Sequence, residues 1–281
     1  MSAALEDEIG DILGKARAGQ GYSVEDASRV AGLRPSDIVD FESYRRAPSK
    51  QEVRALARAL GLDPPKLVEI AGDAWLPEPD PWRVEPNVVV RLIPTAFGGY
   101  LQNCYVVGCT QTRRAVIVDP GGSVDEIAGV VSELALTAEA IAITHGHSDH
   151  TAGARSLARR IGISEVIGSP EDLSAVEAPG LSARAVGDGE EFRIGALTVK
   201  TLRTPGHTRG SLCYLCGLVC LVGDTLFAGS VGRAMSGPNS YRTLLESVRS
   251  KLLSLPKETA ILPGHGPATS VGEELTHNPF F

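Results

Sequence analysis

Thr144-His145-Gly146-His147-Ser148-Asp149-His150 (THGHSDH) places four side chains able to bind a metal ion within six positions. The preceding Glu139–Thr144 (EAIAIT) is apolar and β-prone. The following Asp149–Gly162 carries Ala and Leu at helical spacing, with Arg near its end. The cluster therefore falls on a strand-to-helix loop. His145, His147 and Asp149 are each two apart, but a loop turning into a helix need not aim all three at one ion. Asp149 and His150 are adjacent, which suits a second centre beside the first. Imidazole with carboxylate suits zinc, iron or manganese, and a loop without Cys is not a thiolate-rich structural zinc site. The chain has only six His, and three of them lie here.

Around this loop the chain is long enough, at 281 residues, to bury a large core. An apolar content of 43% indicates a globular protein, and a net charge of −7 argues against general coating of nucleic acid. Five Cys (104, 109, 213, 216, 220) form no framework and fit a reducing compartment. The acidic N-terminus has no apolar signal core, and no run reaches the ~20 apolar residues of a membrane span. The expectation is a cytoplasmic protein with no membrane partner. Cys213-Tyr214-Leu215-Cys216 has the spacing of a redox or zinc pair, but its place in a strand before Gly217 favours buried thiols. His277 reads as a surface or packing residue.

Residues 1–75 read as mostly helical: an amphipathic stretch over Leu5–Ala18, then a short helix from Ser23, with Asp26 completing a capping box, to about Ala31. Gly32 breaks it. Another helix starts near Pro35 or Ser36, with Ile38 and Phe41 on one face. Ser49 caps a third, which Gly61 and Pro64-Pro65 end. Helix, Gly-centred turn, helix is the spacing of a helix-turn-helix. Tyr22–Leu33, then Ile38, Phe41-Glu42 and Leu56–Gly61, resemble the Cro/repressor-type DNA-binding domain over about residues 8–71. The would-be reading helix presents Pro35, Asp37, Val39 and Asp40, and residues 1–76 hold ten Lys/Arg against thirteen Asp/Glu. Phosphate neutralisation needs the opposite balance. Arg45, Arg46 and Lys50 could still make a basic patch for DNA, but a homodimer or docking role fits the charge better. Residues 76–87 form a Pro-rich, stiff linker, with Trp75 and Trp82 expected to pack against one domain.

From about Asn87 strands and helices interleave irregularly. Strands are expected at Val88–Ile93, Asn103–Val107, Ala115–Val118, Ala183–Val186, Leu197–Thr201, Ser211–Cys216, Leu218–Val222 and Thr259–Leu262. Helices are expected at Val124–Leu134, 149–162 and Tyr241–Leu253. This is a layered α/β domain over 88–281. Three further loops end β-prone runs: Thr204-Pro205-Gly206-His207-Thr208, Gly223-Asp224-Thr225 and Pro263-Gly264-His265-Gly266-Pro267. Gly beside each candidate ligand permits sharp turns and close backbone approach.

HGHSDH, TPGHTRGS, GDTLF and LPGHGPAT together resemble the metallo-β-lactamase-fold hydrolases, with Asn103-Cys104-Tyr105 and Ile117–Gly121 matching early strands. GDTLFAGSVGR and Gly264–Phe281 resemble its short glyoxalase II-like branch. The resemblance covers about residues 88–281. It implies an αββα sandwich, here preceded by a small all-α helix-turn-helix-like domain. It further implies two divalent metal ions, zinc first, with iron or manganese as alternatives. His145, His147 and His207 would hold one ion, Asp149, His150 and His265 the other, and Asp224 would bridge. A pair of dications can bring a shared water's pKa to roughly 7, so the implied activity is hydrolysis by metal-bound hydroxide. A thiol leaving group needs no strong general acid, which points to a small acyl thioester as in hydroxyacylglutathione hydrolases. Asp149 could shuttle a proton. Asp119 would support the ligand loop, or simply form the turn before Pro120-Gly121. Arg233 falls where those enzymes place a basic residue near glutathione, although Met235 replaces an aromatic residue and the helical glutathione-binding extension is missing.

His207 and Asp224 are 17 positions apart and Asp224 and His265 are 41 apart, too close for the insert of nucleases of this fold. Two alternatives stay open. One is a mononuclear iron persulfide dioxygenase, against which Gly232-Arg233-Ala234-Met235 leans. The other is a DNA-binding regulator with a metal-containing sensor domain.

Overall fold

The computed structural model describes residues 4–78, 85–176, 178–235 and 237–281. Five helices come first: α1 (Ile9–Gly19), α2 (Val24–Ala31), α3 (Pro35–Glu42), α4 (Lys50–Ala59) and α5 (Pro64–Ile70). The Ser23–Asp26 capping box starts α2, and Gly32, at φ +69°, ends it in the left-handed region. α1 begins later than the apolar pattern suggested, at a Glu8–Asp11 box. Pro64-Pro65, read as a terminator, instead opens α5: Asp63 caps it, and Pro at the first helical positions loses no hydrogen bond.

The rest alternates strands and helices: β1 (Val88–Phe97), β2 (Tyr100–Cys109), β3 (Arg114–Val118), α6 (Val124–Glu133), β4 (Thr137–Ala142), α7 (Ser148–Thr151), α8 (Ala154–Ile161), β5 (Glu165–Gly168), β6 (Ser182–Ala185), β7 (Glu191–Ile194), β8 (Leu197–Arg203), β9 (Leu212–Cys216), β10 (Val219–Gly223), β11 (Leu226–Phe227), β12 (Ser230–Val231), α9 (Pro238–Ser247), β13 (Ala260–Pro263), β14 (Thr269–Ser270) and α10 (Val271–His277). They build one sheet ordered β1-β2-β3-β4-β5-β6, a second ordered β14-β13-β10-β9-β8-β7, and a β11–β12 hairpin.

Alternation along buried strands makes the layers. On β3, Val116 and Val118 face the second sheet with Tyr214 and Leu221, while Ala115 and Ile117 face Ile127 of α6 and Leu157 of α8. On β9 the same period puts Cys216 between the sheets and Cys213 on the outer face. Residues three apart on a strand point oppositely, so these two thiols do not form a chelating pair. All five Cys are free and buried.

The outer face of the second sheet packs on α9 and α10, and the N-terminal helices join the same apolar cluster. Ile12, Leu13 and Ala16 share it with Leu244, Val248 and Val271. Polar contacts add to this. Trp75 stacks on His277 at 4.7 Å, and the His277 ring meets Glu69 at 2.9 Å. The Asp63 amide donates to the Pro279 carbonyl at 2.7 Å. The expected packing of Trp82, and the linker residues 79–84, lie outside the described residues.

The expected single helix after the His-rich loop is two helices. Gly153 separates them because its amide donates to the Pro120 carbonyl at 2.9 Å, and a Cβ there would come within 2.6 Å of that oxygen. The expected Tyr241–Leu253 helix starts earlier, at Pro238, and runs into a π-type turn over Val248–Leu252. No helix among the described residues is long and apolar enough to cross a membrane.

Candidate metal centre

The centre lies where parallel strand pairs end together. β3 pairs with β4 so that Val118 is opposite Ala142, which sets Asp119 beside the Thr144–His145 loop. β10 pairs with β13 with an irregularity at Leu221/Gly223, and Gly264 donates to the Gly223 carbonyl at 2.9 Å, which sets Asp224 beside His265. Leu212 donates to the Thr144 carbonyl at 2.8 Å and ties the two sheets at this edge. Glycines let the loops close. A Cβ on Gly264 would sit 2.4 Å from Asp224 Oδ1, and one on Gly232 only 1.7 Å from the Asp224 carbonyl oxygen.

Two ligand clusters result. In the first, His145 Nε2 and His207 Nε2 each approach His147 Nδ1 at 3.0 Å. In the second, Asp149 Oδ2 lies 3.3 Å from His265 Nε2 and 3.7 Å from His150 Nε2. Asp224 stands between them. Its Oδ1 is 3.3 Å from His150 Nε2, and its Oδ2 is 3.6 Å from His207 Nε2 and 3.7 Å from His265 Nε2. His145–His147–His207, His145–His150–Asp224 and Asp149–His150–His265 are each close enough to share a cation. A tetrahedral centre with bonds of about 2.0–2.1 Å separates its ligand atoms by roughly 3.3 Å. The observed spacings bracket that value. His150 Nε2 and Asp224 Oδ1 are buried without a hydrogen-bond partner. A lone pair and a carboxylate oxygen left this way are costly unless a cation satisfies both.

The outward ring nitrogens of His145, His150, His207 and His265 are engaged, which fixes the tautomers of these four rings. His150 Nδ1–H donates to Asp119 Oδ2 at 2.9 Å, His207 Nδ1–H to the Arg233 carbonyl at 2.8 Å, and His265 Nδ1–H to the Leu101 carbonyl at 2.7 Å. Thr144 donates its amide to Asp119 at 2.7 Å and its hydroxyl at 2.6 Å. That leaves its hydroxyl oxygen, 3.0 Å from His145 Nδ1, as the acceptor for that ring. Asp119 thus serves two rings, one directly and one through Thr144, and holds a φ of +53° to do so. Thr144 and the carbonyls of Leu101 and Arg233 were not singled out from sequence, although Thr144 opens the quoted stretch.

Charge within the cluster follows burial and neighbours. Burial, then His150, pushes His145 well below its usual imidazole range, and burial lowers His207 too. His150 is raised despite complete burial, by Asp224 and Asp119. Asp224 is held far below the carboxylate range despite its own burial, chiefly by His150. The site is organised for positive charge between its carboxylates. The Arg233 side chain is exposed, on the loop whose carbonyl holds His207.

The helical segment shows less basic surface than expected. Asp37, expected exposed on α3, is buried between Arg34 Nη2 at 2.8 Å and Arg46 Nη2 at 3.0 Å. Arg46 also meets Glu52 at 2.9 Å, and Arg45 meets Asp40 at 2.8 Å. The anticipated patch of Arg45, Arg46 and Lys50 therefore has two of its three cations neutralised.

This is the layered scaffold and edge-sited His/Asp centre of a metal-dependent hydrolase class. Residues 97–265 match the metallo-beta-lactamase superfamily, and the chain belongs to that family. Residues 13–67 match a helix-turn-helix family. The chain is 32% identical over 210 residues to "Hydroxyacylglutathione hydrolase GloC" of Haemophilus influenzae, covering 68% of this chain and 97% of that protein. Among solved structures it resembles the BLEG-1 B3 metallo-beta-lactamase at TM-score 0.60 and 30% identity, covering 68% of this chain and 99% of that one. It also resembles TTHA1623 in a di-iron-bound form at TM-score 0.56 and 30% identity, covering 67% and 100%. Each match leaves roughly a third of this chain outside it.

Proposed function

We propose that the chain is a dinuclear metal-dependent hydrolase of small acyl thioesters. The observation carrying this reading is the Asp224 carboxylate set between two ligand clusters, with its Oδ1 and His150 Nε2 buried and unpartnered. His145, His147 and His207 would hold one ion, Asp149, His150 and His265 the second, and Asp224 both. Such ions, when bound, supply a water-derived nucleophile at neutral pH and polarise the carbonyl under attack.

The chain's own groups do the rest. Asp119, Thr144, Leu101 and Arg233 hold four rings in the tautomers that keep a lone pair inward. Asp149, with about a quarter of its side chain open, is the ligand carboxylate best placed to pass a proton to solvent. Arg233 offers a cation at the rim for an anionic part of the substrate. A thioester suits this equipment because its leaving group departs as thiolate without a dedicated acid. The 32% relative named as a hydroxyacylglutathione hydrolase supports this substrate class, and the di-iron-bound form of TTHA1623 supports iron as an alternative to zinc.

The test is metal analysis of the purified chain, followed by a panel of acyl-glutathione, other acyl thioesters, lactone, β-lactam, persulfide and phosphodiester substrates. Thioester turnover that His147→Ala abolishes supports the reading. Turnover of persulfide alone with one iron per chain replaces it with the dioxygenase.

The helix-turn-helix match motivates the second reading, a DNA-binding regulator. A salt-sensitive mobility shift of genomic fragments by the full chain would establish it. The acidic, internally paired surface of α3 predicts no shift even at low salt.

A further inference from the structure

The segment ahead of α1 reaches past the outer helical layer to the rim of the metal centre. Asp7, only 6% exposed, bonds Lys15 Nζ at 2.5 Å and Ser230 Oγ at 2.5 Å. Lys15 also donates to the Val231 carbonyl at 2.9 Å and lies 4.7 Å over the Phe227 ring. Phe227 stands edge-on to His265 at 6.0 Å. The β11–β12 hairpin therefore clamps residue 7 in place, and β12 runs directly into Gly232-Arg233 beside His207.

One position earlier, Glu6 lies against the loop that carries His265. A Cβ on Gly266, which has φ +71°, would come 2.7 Å from Glu6 Cβ and 3.1 Å from its amide nitrogen. Residue 266 lacks a side chain at the place where the N-terminal segment crosses. The Glu6 side chain is solvent-exposed. Its Cβ thus packs on the residue that directly follows the candidate ligand His265. Glu6 lies outside the segment matched to the metallo-beta-lactamase superfamily, so this carboxylate is brought to the site by the chain's own N-terminal addition.

We propose that Glu6 is a specificity-determining residue of the metal site, favouring substrates whose thiol portion carries a cationic group such as an ammonium. With Arg233 on the neighbouring loop, the rim then offers one carboxylate and one guanidinium, a pairing suited to the zwitterionic tail of an amino-acid-derived thiol. The inference rests on the hydrolase reading above and names the substrate class within it. A charge at the rim of a partly wetted pocket shifts the binding of a charged ligand by about three- to tenfold, with opposite sign for cation and anion.

The test uses the full chain with cobalt(II) in the metal site, titrated with 2-aminoethanethiol, 3-mercaptopropionate and neutral 2-mercaptoethanol while the thiolate-to-cobalt band is followed. Glu6→Gln should weaken the cationic thiol and tighten the anionic one, moving the ratio of their dissociation constants about tenfold, with 2-mercaptoethanol unchanged. Glu133→Gln, removing an exposed acid at the end of α6, should leave that ratio where it was. A Glu6→Gln ratio within twofold of wild type, or an equal change for all three thiols, overturns the assignment. Failure of the wild-type chain to take up cobalt instead contradicts the metal-site reading beneath it, so the two failures are distinguishable.

Discussion

The Asp119 carboxylate and the His150 ring meet at 2.9 Å in a place closed to solvent, and the same carboxylate takes both hydrogen bonds offered by Thr144. Asp119 therefore orients two imidazoles, one in each ligand cluster. Asn tolerates the left-handed backbone at this position, so Asp119→Asn removes the charge without adding strain. It should weaken metal binding about 10- to 100-fold, measured by competition with a chromogenic chelator.

Gly232→Ala tests how tightly the loops close. The new Cβ would fall 1.7 Å from the Asp224 carbonyl oxygen, so the backbone carrying Asp224 must move. Metal content should fall below that of wild type, and kcat/KM should drop at least about 100-fold, since small displacements of reacting groups cost that much. Far-ultraviolet circular dichroism should stay native, because the change lies in a loop.

The N-terminal helices should unfold with the rest of the chain. Asp7 and Lys15 form a buried pair at 2.5 Å, with side chains 7% and 8% exposed. Asp7→Ala removes the paired carboxylate and leaves the ammonium the Val231 carbonyl and the Phe227 ring face. Stranding a buried charge costs about 3–5 kcal/mol. Urea titration should show the midpoint lowered in a single transition, seen alike by circular dichroism and by fluorescence. Two separate transitions in the wild type would contradict the shared core.

Glu274 makes stability fall as pH rises. Burial pushes its carboxyl up to about 8, against the lowering effect of Asn278, Thr269 and the Gly229 amide. Unfolded, the group ionises near its ordinary value of 4.5. The folded state thus holds an extra proton between these limits. This stabilisation is complete below about pH 4.5 and is lost progressively as pH rises to about 8, on the order of 1 kcal/mol per unit. Urea unfolding at pH 5.5 and 7.5 should show the decline in wild type, and Glu274→Gln should flatten it.

Most of the candidate site was legible because its residue types are scarce and their loops are punctuated by Gly. Five of the six His fall in three such loops, and the structure brings all five together with Asp149 and Asp224. What supports those rings was less visible. The hydroxyl of Thr144 and the carbonyls of Leu101 and Arg233 act through backbone register, which residue identity does not encode. The two-residue strands β11 and β12 are too short to show a period. Lys15 reads as the polar side of an amphipathic helix. It is buried because Asp7, itself held by the Ser230 hydroxyl, and the Val231 carbonyl satisfy it. The break at Gly153 is likewise set by Pro120, more than thirty positions away in sequence.

The most direct measurement is the metal content of the chain purified without chelators, compared with that of His147→Ala. The expected result is about two divalent ions per wild-type chain, clearly fewer in His147→Ala, and thioester hydrolysis only in the wild type. A natively folded wild-type chain that binds no metal, even when zinc, iron and manganese are each supplied, would contradict it.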